Sequence, residues 1–449
     1  MQKLIGKYGL AAHLALVVVA PPFFSPAVVL WLSALAVLWI VMEPSRIGFE
    51  QLHDARARVF STMRRDPVFW LFLALVVVAG VRFANGGVTL AYDAESASWS
   101  VASPHWEFLP GCVDEAGFPF FAGIVAMFVA VAGCRHALGR SARLAFLLVA
   151  SSLSAIGAGT MLAMCDMGSS WAIAASKASF EHPVFFGSVF GVHLSGAVVA
   201  LYAAFEHRWF KAMPFAAFAL CGNAAGLFVF APPLVHCFFA SAAIVVFLYT
   251  FVFARLTLLS RGEFKFLVVF GVSLVVGAMV VMGLLGDAFL QARVEPYVTG
   301  VFLSQDFMSL RSLLSSVSVA IWKSCPWFGG GLGSYAMELG FHAAKDSWAI
   351  IPPAQSAPLN GYLMLLAERG IVGAFLVVVP ALLLVGFYVR ALVAGVRRSM
   401  PHPAAWAGLL VFAAAVAEAL FTATPFTPGM CAAVVSYLAV STNAFPKEK

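Results

Sequence analysis

The sequence predicts an all-α integral membrane protein with about twelve transmembrane helices and one large, helical extracytoplasmic loop between the ninth and the tenth. Three observations predict it. Of 449 residues, 62% are hydrophobic and 11% charged, less than half the ~25% charge content of a water-soluble domain. The apolar residues form long uninterrupted runs, not ten-residue alternating ones. In lipid every backbone N–H and C=O must be satisfied within its own segment or in a closed barrel, and long runs select helices. Finally, the basic residues fall almost entirely in alternate loops.

The expected spans are 9–20, 27–42, 67–82, 117–133, 144–163, 185–204, 212–230, 234–253, 266–285, 371–389, 404–421 and 429–442. The first is not read as a cleaved leader, because Pro21-Pro22 and a second apolar run follow at once; the two make a retained helical hairpin. Three parts follow: spans one to nine in residues 1–285, the large loop in 286–370, and spans ten to twelve in 371–449.

Orientation comes from Lys and Arg. One set of loops holds 20 of the 27, among them Arg64, Arg65, Arg135, Arg140, Arg397 and Arg398; the other holds Arg82, Lys177, Arg293, Arg311, Lys323, Lys345 and Arg369. The positive-inside rule makes the first set cytoplasmic, and with it both termini, which agrees with an even number of spans. The net charge of +6 is therefore a topology signal and excludes a nucleic-acid partner as its explanation; the surrounding partner is membrane lipid. Seven cysteines are scattered without a C-x-x-C pair, which argues against a zinc site or a disulfide framework.

Two far-side loops are long, about 83–116 and 286–370. In the second, Ser304 to Cys325 reads as a helix with Leu310, Leu313, Leu314 and Val317 on its apolar face and Arg311 and Lys323 on its polar side. Pro326 stops it. A glycine-rich turn, Trp327-Phe328-Gly329-Gly330-Gly331-Leu332-Gly333-Ser334-Tyr335, follows. A second helix from Asn360 to Arg369 leads through Gly370 into the tenth span. No internal repeat of the kind that builds two-halved transporters is visible.

The run from Arg311 to Pro326-Trp-Phe-Gly-Gly-Gly-Leu-Gly-Ser-Tyr resembles the arginine and P-L-L-G-x-G-x-G-x-[FY] signature of the bacterial O-antigen ligase and O-antigen polymerase family. Asn360-Gly-Tyr-Leu-Met-Leu-Leu-Ala-Glu368-Arg-Gly370 is similar to that family's H-[NS]-x-x-L element. Both lie within residues 311–373, in the order and in the loop the family uses. The resemblance implies a glycosyltransferase of the bacterial inner membrane. Its donor is a glycan on undecaprenyl pyrophosphate, and its acceptor is a hydroxyl of another glycan, of a lipid-A core, or of a protein. The loop is then periplasmic, and no cofactor or metal is implied.

The catalytic residues expected on this basis are Arg311, Glu368 and His342. A guanidinium stabilises the charge gathering on a pyrophosphate leaving group without moving a proton. The substrate-binding residues expected are Arg293, Arg82, Gly331, Gly333 and Asn360. The glycine N–H groups either meet phosphate oxygens or only close a turn. Glu368 either orders its helix end or handles a proton. One position departs from the family pattern: where the family has a histidine immediately before Asn360, this chain has Leu359, which accepts no proton. The loop offers His342, Asp346, Glu338 and Glu368 in its place. Within spans, Glu418, His193 and His236 are the costly polar groups, with functional or hydrogen-bonded structural roles. The competing readings are a flippase or other transporter, and a family member that binds a lipid-linked glycan without turning it over.

Overall fold

A computed structural model describes residues 2–21, 23–42, 60–87, 89–93, 98–102, 110–112, 114–164, 183–206, 211–230, 233–248, 305–342, 358–396, 403–422 and 426–442. The expected ninth span and Arg293 lie outside the described residues.

Helices α1 (Gln2–Val19) and α2 (Pro26–Met42) form the opening hairpin. Helix α3 (Pro67–Ala84) starts where Asp66 caps it: its carboxylate accepts the Val68 N–H at 3.1 Å, and Pro67 occupies the first turn, where no N–H is needed. The first long loop holds the departure from an all-helical chain, an antiparallel pair β1 (Thr89–Asp93) and β2 (Ser98–Ala102) with Thr89 opposite Ala102. Helix α4 (Asp114–Ala132) runs into a π-helical turn, Gly133–Ala137. That turn presents Arg135 and His136 to the two oxygens of Asp66. Helices α5 (Arg140–Met164), α6 (Pro183–Glu206), α7 (Met213–Phe230) and α8 (Pro233–Phe247) follow.

The second long loop contributes α9 (Gln305–Ser324) and α10 (Tyr335–His342). Helix α11 (Gly361–Val396) breaks at Gly370, whose φ of 63° and ψ of −168° is a region open essentially to glycine alone. The short helix expected to end at Arg369 and the span expected after it are the two halves of α11. Helices α12 (Pro403–Glu418) and α13 (Pro428–Thr442) complete the described chain.

Among the described residues, six helices are long and apolar enough to cross a membrane: Pro67–Ala84, Gly117–Ala137, Ala142–Met161, Gly187–Ala204, Met213–Phe230 and Gly361–Arg390. Five shorter apolar helices lie at Tyr8–Val19, Pro26–Val41, Cys237–Phe247, Ala407–Glu418 and Gly429–Val440. These are the helices of a multi-pass membrane protein. Their outer faces carry Trp31 (69% exposed) and Phe215 (62% exposed), an arrangement that lipid tolerates and water does not.

Helix α6 is the enclosed centre, and its polar groups show how a buried hydrogen-bonding side chain is made tolerable. His193 Nδ1 lies 2.9 Å from the Tyr437 hydroxyl, and Ser151 donates to the His193 carbonyl at 3.0 Å. Asn223 accepts from Ser154 at 2.7 Å and donates to the carbonyls of Ser151 and Ala219. These bonds tie α5, α6, α7 and α13 across a core in which each group left unpaired costs several kcal/mol, order of magnitude.

Candidate functional site

The two sequence motifs of the large loop meet backbone to backbone. After α9, Gly329 donates to Cys325 O at 2.7 Å and closes the turn. Gly330 N–H then reaches Ala367 O at 2.8 Å, and Gly331 N–H reaches Glu368 O at 3.3 Å. In return, Ile371 and Val372 donate to Pro326 O and Trp327 O, each at 3.0 Å. The approach is so close that neither chain tolerates a side chain. A Cβ on Gly370 would lie 2.5 Å from the N atoms of Phe328 and Gly329, and one on Gly329 (φ 72°) would lie 2.5 Å from Arg369 N. Gly329 and Gly370, one from each motif, are thus explained by one contact.

Arg82, at the end of α3, pins this contact. It is 2% exposed. Its Nη1 donates to Glu368 O at 3.0 Å and its Nη2 to Phe328 O, one carbonyl from each motif. The first long loop joins in, since Leu332 N–H donates to Gly111 O at 3.2 Å. Glu368, buried, receives the backbone N–H groups of Gly333 and Tyr335. Its carboxylate therefore anchors the start of α10, where the helix dipole favours an anion.

Of the two readings of the glycines, these bonds favour the turn. The N–H groups of Gly329, Gly330, Gly331, Leu332 and Gly333 are all spent on protein acceptors, so Gly331 and Gly333 close a turn. Arg82 is likewise buried and engaged with carbonyls, and Glu368 orders a helix end.

Helix α10 carries a different kind of group. Glu338, 2% exposed, leaves Oε1 without a hydrogen-bond partner among the described residues, and its Oε2 lies 3.8 Å from His342 Nε2 on the exposed last turn. Burial pushes the Glu338 carboxyl up to about 7, opposed by the Ser334 hydroxyl and reinforced by Glu368. Burial also holds His342 below its usual value. Sequence reasoning named Glu338 only as one carboxylate among several; its place four residues before His342 on a helix is the signal that pairs them.

A third cluster gathers at the end of α12. Arg311 Nη2 donates to Leu420 O at 2.7 Å, and its guanidinium carbon sits 4.8 Å from the centre of the Phe421 ring. Gly361 N–H donates to Ala419 O at 2.8 Å, and Tyr362 OH to Val416 O at 2.9 Å. Asn360 caps α11 by accepting from Tyr362 N and Leu363 N at 3.1 and 3.3 Å, a sufficient reason for an asparagine there. Arg369 donates to Phe426 O and lies over the Phe120 ring. Glu418, 0% exposed, accepts from Ser188 and from Thr422 (3.2 Å) at Oε1, and its Oε2 has no hydrogen-bond partner among the described residues. Thr422 and Arg369 were not foreseen as part of a site. Leu359 packs with Leu310 and Leu313 against Leu314, Tyr335, Leu339 and Ala367, so position 359 is a packing position.

No protein-family model matches this chain, and no characterised protein matches it.

Proposed function

We propose that this chain is a membrane glycosyltransferase that moves a glycan from a polyprenyl pyrophosphate to an acceptor hydroxyl. In this reading it has twelve spans, both termini lie in the cytoplasm, and the large loop faces the periplasm of a bacterial inner membrane. Arg311 carries the proposal. The guanidinium is held in place by Leu420 O and the Phe421 ring while making one hydrogen bond among the described residues. A fork with donors to spare, on the half-exposed side of a loop helix, is the group that a pyrophosphate leaving group needs. The resemblance of residues 311–373 to the ligase and polymerase signatures supports the same residue.

The test uses the full chain reconstituted in lipid. The donor is the lipid-linked glycan pool extracted from the native host, and release of undecaprenyl pyrophosphate is measured beside donor binding. Arg311→Ala lowers release by about 10²–10³-fold, the usual effect of losing one stabilising donor, and leaves the melting temperature unchanged. Arg311→Lys keeps the charge, loses the two-pronged geometry and restores only part of the rate. Full release by a folded Arg311→Ala protein would remove the reading. Donor binding by wild type without release points to a non-catalytic glycan binder, and movement of intact donor across the bilayer points to a flippase.

A further inference from the structure

We infer that Glu418, acting through the hydroxyl of Thr422, takes the proton of the acceptor hydroxyl in this transfer. The inference rests on the proposed transferase reading and adds to it the proton route that Leu359 cannot provide.

Three observations meet at residues 418–422. The first is proximity to the cation: Arg311 donates to Leu420 O and lies over Phe421, so the group proposed to hold the leaving pyrophosphate is seated on the turn that begins at Glu418. The second is the carboxylate itself. It is fully buried, tied at Oε1 to Ser188 and Thr422, and unpartnered at Oε2. A carboxylate oxygen left without a donor inside a membrane protein is costly and tends to be retained for chemistry. The third is the outlet. Thr422 is half-buried, bridges Glu418 towards the surface, and its carbonyl lies against Gly361, two residues after Leu359. The start of α11 and the turn that begins at Glu418 therefore meet at one locus. Arg369, on Phe426 O, is the other cation reaching this stretch.

The step balances simply. The acceptor oxygen forms a bond to the anomeric carbon as that carbon's bond to the pyrophosphate oxygen breaks. The bonding pair leaves on the pyrophosphate beside Arg311. The acceptor proton passes to Thr422 Oγ1 as the Thr422 proton passes to Glu418, and it is later lost to water. Glu418 is a positioning and relay residue, since it meets the substrate only through Thr422.

Glu418→Gln keeps an acceptor for Ser188 and Thr422 and removes the basic oxygen. It lowers release of undecaprenyl pyrophosphate by about 10²–10⁴-fold, the usual worth of proton-transfer assistance, with donor binding and melting temperature at wild-type values. Its residual rate no longer falls on the acid side of the pH profile as the wild-type rate does, which a purely structural role would not change. Thr422→Val removes the relay hydroxyl without disturbing Glu418 and lowers release to a similar degree, while Thr422→Ser retains it. Wild-type rates in Glu418→Gln or in Thr422→Val overturn the inference. So does a loss matched by lower melting temperature and weaker donor binding with an unaltered pH profile. Release that survives Glu418→Gln but is lost in His342→Gln moves the role to the pair on α10. Absence of release by wild type removes the transferase reading first and this inference with it.

Discussion

Arg82 and Arg311 both serve the large loop, and both donate to backbone carbonyls. Arg82 is 2% exposed and gives both terminal nitrogens away. Arg311 is half-exposed and gives one. The regions around them differ in the same way. In the glycine contact, the backbone N–H groups, the carbonyls and the Glu368 carboxylate are matched to protein partners, and Arg82 Nε alone of the arginine's nitrogens has none among the described residues. At the end of α12, Arg311 keeps donors and Glu418 keeps an oxygen. Matched groups hold a shape; unmatched ones, held still by neighbours, are what a substrate can use. Motif glycines and a buried arginine mark the scaffold, and in the proposed transferase the chemistry sits at the end of α12.

The sharpest way to break the comparison is to add one methyl group to the scaffold. Gly370→Ala places a Cβ against the backbone of Phe328 and Gly329 and asks alanine to adopt a glycine conformation. Strain of that kind costs about 1–3 kcal/mol before the overlap is counted. The variant is expected to accumulate at a small fraction of the wild-type level and to lose its single peak in gel filtration in detergent. Normal yield and full transfer would mean that the two motifs are not locked together. Next in size is Arg82→Met. It strips the donor from Phe328 O, about 1–3 kcal/mol for a carbonyl left unsatisfied, while Glu368 O keeps the Gly331 N–H; the loss is partly offset because a buried charge is no longer desolvated. A lower melting temperature is expected, with donor binding intact in the protein that remains folded. An unchanged melting temperature with lost donor binding would move Arg82 to the substrate side.

Much of the scaffold was legible in the sequence. Apolar runs gave eleven helices at expected places, because a span needs little more than length and composition. Pro326 and Gly370 marked real helix boundaries, because proline and positive-φ glycine act locally. The β1–β2 pair did not show, since five-residue strands in a polar loop leave little periodic signal. The roles within the motifs were harder. Whether Gly331 faces a phosphate or Glu368 O depends on a contact between segments about forty residues apart, and so does the duty of Glu368. Glu418 stood out as a charge in an apolar run, but its nearness to Arg311 spans about a hundred residues and leaves no mark in the local pattern.

The pair on α10 sharpens the comparison through pH. Glu338 sits between the two regions in character, buried yet incompletely bonded. Its pKa is about 7 in the folded protein, against the usual 4.5. Folded protein therefore binds this proton more tightly than unfolded protein does. The stability that the shift contributes is complete below about 4.5 and is lost as pH rises to about 7. At about 1.36 kcal/mol per unit, the effect is at most about 3 kcal/mol. Glu338→Gln is expected to match wild type in melting temperature near pH 4.5 and to exceed it at pH 8. His342, depressed by burial, works in the opposite sense, losing stability as pH falls through its own range, and remains in the variant. Equal melting curves for the two proteins at both pH values would show that Glu338 is solvated and belongs to neither class.

The smallest effect is expected at Leu359, and it separates a relocated proton route from a decayed one. Leu359 lies with Leu310 and Leu313 on the apolar cluster that joins α9, α10 and α11. Leu359→His trades that packing for a polar ring, at about 1 kcal/mol, the centre of the distribution for single substitutions. The imidazole enters an apolar contact, so the release rate in the wild-type background is expected to stay within a factor of two or so. The stricter form is the double variant with Glu418→Gln. An imidazole that reached the acceptor would restore about 10² or more of the lost rate, since that is what a general base contributes. With the ring packed against Leu314 and Leu339, no restoration is expected. A rescue would show that residue 359 still faces the reacting hydroxyl, that the protein had lost its base there, and that the unmatched oxygen of Glu418 serves some other end.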